Sequence, residues 1–265
     1  MLTKLIPIAI TAAALGAVWH CSARAEIKTE NVEYKDGDTV CEGYLAYDDS
    51  KKEQRPGLLV IHDWMGVGPY AKGRAEQLAR LGYVAFVADI YGKGVRPKDA
   101  KEAAAEAGKY KADRSLLRRR ANAGLSQLKA QKLVKPEQIA AIGYCFGGTT
   151  ALELARSGAD LRGVVSFHGG LDSPTPADGR NIKAKILALH GADDPFVKPA
   201  DVAAFQEEMR QAKVDWQMVY YGDAVHSFTQ KAAGTDKSKG AAYQEAADKR
   251  SWQAMKDFLG EIFGK

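Results

Sequence analysis

Residues 142–148 read Ile-Gly-Tyr-Cys-Phe-Gly-Gly and join a short apolar run to a helical pattern. A reactive side chain between two glycines at a strand-to-helix turn is typical of a nucleophile elbow, here with cysteine where serine is more common. Gly143 and Gly147 have a physical reason, because side chains two positions to either side of a strained turn would collide with the neighbouring strand and helix. The spacing alone is a weak signal, since small residues at such a junction also serve packing.

Apolar runs alternate with helical patterns on both sides of this turn. Residues 58–61 form a continuous apolar run, which is typical of a parallel strand covered on both faces. Alternating segments at 27–34 and 39–47 predict an antiparallel hairpin at one sheet edge. Further strands are predicted at residues 83–88, 138–142, 163–167, 184–189 and 216–220, and helices at 70–81, 113–132, 201–213 and 241–263. The predicted fold class is α/β, a mostly parallel sheet with helices on both faces, and such sheets bind ligands at the carboxyl ends of their strands.

The composition favours a single α/β domain, since the 265 residues are 46% hydrophobic and 27% charged. The formal net charge of +5 is spread along the chain, and the one basic run, residues 118–120, lies in a helical pattern where a solvated face is the ordinary explanation. Binding to nucleic acid is therefore not expected. No pair of cysteines or histidines has the short spacing of a zinc site, so no metal is expected either.

The first 25 residues differ from the rest of the chain. Lys4 precedes an apolar stretch of about 14 residues, and small residues around Arg24 offer a cleavage site after Ala25. This pattern predicts a signal peptide. One alternative is a membrane anchor, for which the stretch is too short to cross a core of ~30 Å. The other is a lipid anchor on Cys21, which lacks small residues before it. We expect an exported, periplasmic protein whose single domain spans residues 26–265 without crossing a membrane.

The position of Cys145 favours a reactive thiol. At the amino end of a helix, unpaired backbone N–H groups and the positive end of the helix dipole stabilise a thiolate. The same groups, above all the N–H of Phe146, can hold the oxyanion of a tetrahedral intermediate. A second N–H for this oxyanion is expected from Trp64, which follows Asp63 at the end of the first parallel strand.

An acid and a histidine follow the cysteine in the chain order of an α/β-hydrolase. Two carboxylates, Asp193 and Asp194, stand at the end of one strand, and His226 follows the next strand. Each turn alone is an ordinary polar loop, but three in this order and setting favour a catalytic triad. The other histidines at strand ends are interpreted as side chains that satisfy buried backbone groups: His62, His168 and His190.

With these residues, the sequence resembles the dienelactone hydrolase family over nearly the whole of residues 26–265. The hexapeptide at residues 143–148 is highly specific for that family among α/β-hydrolases, and the segments at 43–46, 226–228 and 246–252 also match it. The resemblance implies an α/β-hydrolase fold and hydrolysis of an ester or lactone without a cofactor. It selects Asp194 as the acid of the triad, since this residue stands directly before Pro195, where the acid of the family lies.

The resemblance also assigns accessory residues. Asp63 stands where the family carries a glutamate that interacts with the thiol. Lys93 and Gln230 stand where two arginines grip the substrate carboxylate, and Tyr144 is grouped with them as an accessory residue. A lysine is a flexible point charge and cannot reproduce a bidentate arginine clamp. The resemblance therefore favours an ester or lactone, with a dienelactone as only one of the candidates.

The leading hypothesis is a thiol hydrolase that acts on a small-molecule ester or lactone as a monomer or weak dimer. One alternative is a carboxylesterase or thioesterase with a substrate other than a dienelactone. Another is a cysteine-elbow enzyme of the glutamine-amidotransferase type, which the order of Asp194 and His226 disfavours. The last is a noncatalytic or redox-sensing protein that uses an oxidisable Cys145. Because Cys145 is expected to react, no disulfide with Cys41 is predicted.

Overall fold

The computed structural model describes residues 26–264. The predicted signal peptide at residues 1–25, with Cys21, lies outside the described residues and stays a prediction. In the described part of the chain, no helix combines the length and apolar character needed to cross a membrane. Cys41 and Cys145 are both free thiols.

The described residues build one eight-stranded sheet. Its strands are β1 Ile27–Asp36, β2 Thr39–Asp48, β3 Arg55–Ile61, β4 Val84–Ala88, β5 Val134–Tyr144, β6 Gly163–Phe167, β7 Lys185–Gly191 and β8 Trp216–Tyr221. They lie in the order β1-β2-β4-β3-β5-β6-β7-β8. β2 pairs antiparallel with both β1 and β4, and the remaining neighbours are parallel. The predicted fold class and the antiparallel hairpin at the sheet edge are confirmed.

Helices cover both faces of the sheet. They are α1 Pro69–Arg80, α2 Ala100–Ala112, α3 Arg114–Lys129, α4 Phe146–Arg156, α5 Pro199–Gln211 and α6 Glu245–Phe263. The buried side chains of α1 and α6 belong to one core cluster, and those of α2 to α5 belong to the other. Short 3-10 segments lie in the loops, at Pro176–Asn181, Lys231–Ala233 and Lys237–Lys239.

Two helical segments differ from the sequence-based prediction. The patterns do not predict α2, which begins where the side chain of Asp99 accepts a hydrogen bond from the N–H of Glu102. The helix predicted at residues 241–263 begins only at Glu245. Residues 241–244 stay outside the helix because Ala241 forms a bridge with the backbone of His226, and backbone pairing there competes with the first helical turn.

The central strand β3 supplies side chains to both cores. All seven of its residues are buried. Leu59 and Ile61 pack with α2 to α5, whereas Leu58 and Val60 pack with α1 and α6, because successive side chains of a strand point to opposite faces. Burial of one such side chain stabilises the fold by about 1.5–3 kcal/mol. A strand covered on both faces therefore shows the continuous apolar run that the sequence contains.

A buried ionic cluster joins α4 to α5. Arg156 donates two parallel hydrogen bonds to Glu208, from Nε to Oε1 over 2.9 Å and from Nη2 to Oε2 over 2.7 Å. Its Nη1 donates to Oε1 of Glu153 over 2.9 Å. The side chains of all three are at most 2% exposed. Each charge is paired here, whereas removal of Arg156 would leave the buried carboxylate of Glu208 without its partner and Glu153 with Arg118 alone.

We expect Arg156→Met to lower the free energy of unfolding by roughly 3–5 kcal/mol, because it breaks a buried charge cluster from one side. Urea denaturation monitored by circular dichroism measures the free energy of unfolding. Arg210→Met is the matched control, since Arg210 pairs with Glu207 on the surface, where both side chains are more than half exposed. Equal midpoints and slopes for the two variants would contradict a stabilising role of the buried cluster.

Candidate active site

The turn between β5 and α4 presents Cys145 in a strained backbone conformation, with φ 56° and ψ −118°. Its N–H donates to the carbonyl of Phe167 on β6 over 3.0 Å, and its own carbonyl accepts from the N–H of Gly148 over 2.9 Å. A Cβ atom at Gly143 would lie 1.9 Å from the carbonyl oxygen of Gly147, and one at Gly147 would lie 2.2 Å from that of Ile61. Glycine is therefore required at both positions, as the sequence predicts.

The loop after β8 holds His226 against the chain segment that precedes α6. The N–H of His226 donates to the carbonyl of Gly240 over 3.1 Å, and its carbonyl accepts from the N–H of Ala242 over 3.0 Å. Asp223 and Ser227 nearby both adopt positive φ values, which non-glycine residues rarely do. Backbone pairing between His226 and residues 240–242 therefore holds the imidazole in place.

The carboxylate of Asp194 lies next to this imidazole. Its Oδ2 is 2.8 Å from Nδ1 of His226, and its Oδ1 accepts a hydrogen bond from the N–H of Phe196 over 2.9 Å. The side chain of Asp194 is completely buried, whereas Asp193 is exposed. Geometry therefore selects Asp194 from the two adjacent carboxylates.

The other ring nitrogen of His226 faces the thiol. Nε2 lies 2.9 Å from Sγ of Cys145. Burial by itself would lower the pKa of His226, but attraction to Cys145 and hydrogen bonds to Asp194 and Cys145 outweigh it and raise this pKa to about 10. The imidazole therefore carries a proton at neutral pH and can stabilise negative charge on the sulfur.

Two backbone N–H groups are the predicted donors to an oxyanion. Phe146 is the first residue of α4, and Trp64 follows β3. Within residues 26–264, neither of these N–H groups donates a hydrogen bond to another protein atom. The ring of His62 contacts the backbone after β3 and after β4. Its Nδ1 lies 2.6 Å from the carbonyl oxygen of Asp63, and its Nε2 accepts a hydrogen bond from the N–H of Ile90 over 3.2 Å. The interpretation of His62 as a residue that satisfies backbone groups is thus confirmed.

The predicted accessory residues Asp63 and Gln230 form a hydrogen bond with each other. The carboxylate of Asp63 accepts hydrogen bonds from the N–H of Met65 and from Nε2 of Gln230, both over 2.8 Å. Burial raises the pKa of Asp63, and these bonds partly offset the effect. Among the described residues, Asp63 has no hydrogen bond to Cys145. Both side chains are therefore occupied at the edge of the site.

Lys93 and Tyr144 make their contacts away from the thiol. Lys93 forms a salt bridge with Glu33 on β1. Tyr144 is fully buried, and its ring stacks on that of Phe167 with 4.7 Å between the centroids. A side chain with no exposed surface offers no contact to a substrate, so packing accounts for the position of Tyr144.

Two rings that the sequence analysis does not assign to the site lie against His226. Phe196 is 62% exposed, and its ring stands nearly perpendicular to the imidazole of His226, with 5.5 Å between the ring centroids. The ring of His168 lies 5.3 Å away and is completely buried. Phe196 follows Asp194 by two positions, which is the only signal that the sequence offers for it. Trp64 is a second aromatic residue with exposed surface, 37% of its total.

Comparisons with known proteins identify a family. A sequence model described as the "Dienelactone hydrolase family" matches residues 41–263. A protein of Synechocystis sp. named "Putative carboxymethylenebutenolidase" is 26% identical over 247 residues, which cover 88% of this chain and 97% of that protein.

Solved structures give a closer match. The crystal structure of a dienelactone hydrolase-like promiscuous phosphotriesterase from metagenomic libraries has a TM-score of 0.85 and 43% identity, and the match covers 89% of this chain and 99% of that one. A structure named m3DLH has a TM-score of 0.86 and 41% identity, with the same coverage.

We expect Asp194→Asn to lower the pKa of His226, because the substitution removes the negative acceptor of its Nδ1 proton. In the wild type, a raised pKa means that the imidazole keeps its proton until the pH rises through about 10. Imidazole NMR resonances recorded against pH measure the shift. Asp193→Asn is the control, since Asp193 is exposed and has no bond to the ring. Coincident titration curves for the two variants would rule out this pairing.

Proposed function

Because this chain belongs to the dienelactone hydrolase family of ester and lactone hydrolases, we propose that it cleaves its substrate through Cys145, with His226 and Asp194 completing a catalytic triad. The proposal rests on one observation. Sγ of Cys145 lies 2.9 Å from Nε2 of His226, and Nδ1 of the same imidazole lies 2.8 Å from Oδ2 of Asp194. A nucleophile, a proton carrier and an orienting carboxylate in contact are the parts that acyl transfer requires.

The first half-reaction forms a thioester. Sγ of Cys145 attacks the carbonyl carbon of the substrate, and the N–H groups of Trp64 and Phe146 hold the oxyanion. His226 gives its proton to the departing alkoxide as the C–O bond breaks. In a lactone, this alkoxide stays tethered to the acyl group. Asp194 keeps the ring oriented and stabilises its positive charge.

The second half-reaction releases the acid. His226, now neutral, accepts a proton from water as the water oxygen attacks the thioester carbon. Collapse of the intermediate breaks the C–S bond and releases the Cys145 thiolate beside His226, which keeps the proton taken from water. The products are a carboxylic acid and an alcohol, or a hydroxy acid from a lactone. These steps use side chains, two backbone N–H groups and water.

The substrates that we propose are neutral esters and lactones with an apolar or aryl portion. The side chains that would correspond to a carboxylate clamp are occupied, Lys93 by Glu33 and Gln230 by Asp63. In contrast, Phe196 and Trp64 leave aromatic surface exposed. Aromatic rings contribute contact area at a low cost in side-chain entropy, which suits an aryl or alkyl group.

A second candidate activity is cleavage of neutral phosphotriesters. It is favoured by 43% identity, over nearly the full length, to a structure named as a promiscuous phosphotriesterase. A neutral triester also develops an oxyanion when a thiolate attacks it, so the same two N–H groups would serve it. The phosphorylated cysteine would turn over only if water could attack phosphorus, and that step decides between turnover and inactivation.

We expect Cys145→Ala to lower kcat/KM by at least about 1000-fold on phenyl acetate and dihydrocoumarin, because it removes the nucleophile. Cys41→Ala removes the other thiol of the described chain and should retain activity. Iodoacetamide should inactivate the wild type and Cys41→Ala alike. Activity that survives both Cys145→Ala and alkylation would refute the cysteine mechanism. Paraoxon in the same panel reports the second activity.

The neutral-substrate proposal predicts that phenyl acetate is hydrolysed more efficiently than monophenyl succinate, which carries a free carboxylate. Lys93→Met should change KM for either ester less than about twofold, because its ammonium group is engaged with Glu33. A lysine that gripped the carboxylate would contribute roughly 1.5–3 kcal/mol, equivalent to about 10- to 150-fold in KM. A selective rise of that size for the succinate ester would instead place Lys93 in the binding site.

A further inference from the structure

The carbonyl of Asp63 and the N–H of Trp64 belong to one peptide group, and the ring of His62 is bound to that group. The described chain contains no cis peptide bond, so this C=O and this N–H point in opposite directions within one plane. The carbonyl oxygen lies 2.6 Å from Nδ1 of His62 and accepts a hydrogen bond from the N–H of Gly66 over 3.3 Å. A bond that holds the carbonyl therefore also fixes the direction of the Trp64 N–H.

The partners of His62 determine its tautomer. The N–H of Ile90 can only donate, so Nε2 of His62 must accept from it over 3.2 Å. The carbonyl of Asp63 can only accept, so Nδ1 must donate to it. The other tautomer would set two hydrogens against each other at Ile90 and two lone pairs against each other at Asp63. Because both partners are backbone groups whose roles cannot reverse, the ring carries its hydrogen on Nδ1.

The ring of His62 is also neutral. It is completely buried, and burial lowers its pKa. The hydrogen bond to the Asp63 carbonyl and the carboxylates of Asp89 and Asp63 partly offset this effect, whereas the charge of Arg96 adds to it. A second ring hydrogen would point at the N–H of Ile90, so burial and hydrogen bonding favour the same neutral form.

The neighbouring backbone groups of this turn are bound within the protein. The N–H of Met65 donates to the carboxylate of Asp63 over 2.8 Å, and the carbonyl of Trp64 accepts from the hydroxyl of Tyr91 over 3.1 Å. Of the three N–H groups from Trp64 to Gly66, that of Trp64 is the one without an acceptor among the described residues. This donor is therefore held in a fixed direction and is free to bind a ligand.

The turn lies against the amino end of α4. β3 pairs in parallel with β5, the strand that leads into the cysteine turn. A Cβ atom at Gly147 would lie 2.6 Å from the carbonyl oxygen of His62. The ring of His62 lies roughly parallel to that of Phe146, with 6.0 Å between the centroids. The residue that holds the Trp64 peptide thus packs beside the residue that supplies the other predicted oxyanion donor.

We propose that His62 is a positioning residue for the oxyanion, because its Nδ1–H holds the carbonyl of Asp63 and so directs and polarises the N–H of Trp64. The proposal rests on the proposed function, which makes this N–H a donor to the oxyanion. A hydrogen bond to the carbonyl of a peptide group strengthens the N–H of the same group as a donor. A donor that is already directed needs no reorganisation when charge develops on the substrate oxygen.

Asparagine and glutamine separate the two hydrogen bonds of the ring. The amide nitrogen of asparagine can take the place of Nδ1, and the amide oxygen of glutamine can take the place of Nε2. His62→Asn therefore keeps the donor to Asp63 and loses the acceptor for Ile90, whereas His62→Gln does the reverse. Each variant leaves one backbone group without its partner, so the midpoints of urea denaturation should fall by similar amounts.

We expect His62→Gln to lower kcat on phenyl acetate roughly 10-fold with KM within about twofold, a smaller loss than the about 100-fold that removal of an oxyanion donor costs. His62→Asn should keep kcat within about threefold of the wild type, because the Trp64 N–H stays directed. Both half-reactions pass through an oxyanion, so kcat reports the effect whichever of them is slower. Equal kcat values for the two variants would mean that His62 only supports the fold, and would overturn the proposal.

NMR spectra of the ¹⁵N-labelled full-length protein give a readout without turnover. Correlations between ring nitrogens and carbon-bound hydrogens should show the Nδ1–H form of His62, and the amide resonance of Trp64 should shift more in His62→Gln than in His62→Asn. An Nε2–H form in the wild type would overturn the proposal. If His62→Gln does not fold, the wild-type spectrum and the kcat of His62→Asn decide. These spectra do not depend on catalysis, so a failure of the cysteine mechanism in Cys145→Ala would be distinguishable.

Discussion

The backbone around Cys145 can pass between β5 and α4 only because positions 143 and 147 carry no side chain. A single methyl group at Gly143 or Gly147 would lie closer than 2.5 Å to a backbone carbonyl oxygen, a distance that nonbonded atoms do not reach. Helix α4 therefore approaches β3 and β5 closely enough to hold Cys145 at a positive φ with its amino end beneath the sulfur. The position of every other group in the site is defined relative to this turn.

The order of the sheet then supplies those groups. β5, β6, β7 and β8 are consecutive and parallel, so their carboxyl ends lie side by side at one edge. The residues that follow these four strands are Cys145, His168, Asp194 and His226, and they meet at that edge. Pairing of the His226 backbone with residues 240–242 adds the last constraint, at the expense of the first turn predicted for α6.

Two histidines in contact carry different charges because their partners differ. His226 lies between a sulfur and a buried carboxylate, and both favour the imidazolium. His168 is equally enclosed, but its ring partner is the hydroxyl of Thr229, and the nearest full charges are positive. Burial thus acts on both rings in the same direction, and only the polar neighbours decide which one holds the proton. One charged and one neutral imidazole are compatible at 5.3 Å, whereas two cations would repel each other.

The sequence by itself determined the sheet, the hairpin, the turn at Cys145 and the order of acid and histidine, because each depends on local periodicity or on residues that adjoin a strand end. Tertiary structure decided the rest. The resemblance to the family already favours Asp194 over Asp193, but only the folded chain shows that Asp194 is buried against His226 while Asp193 is exposed. Lys93 forms a salt bridge with Glu33, 60 positions away, and Thr229 forms a hydrogen bond with His168, 61 positions away. Such choices depend on which strands are neighbours and on how deeply a charge is buried, and neither quantity is contained in a stretch of sequence.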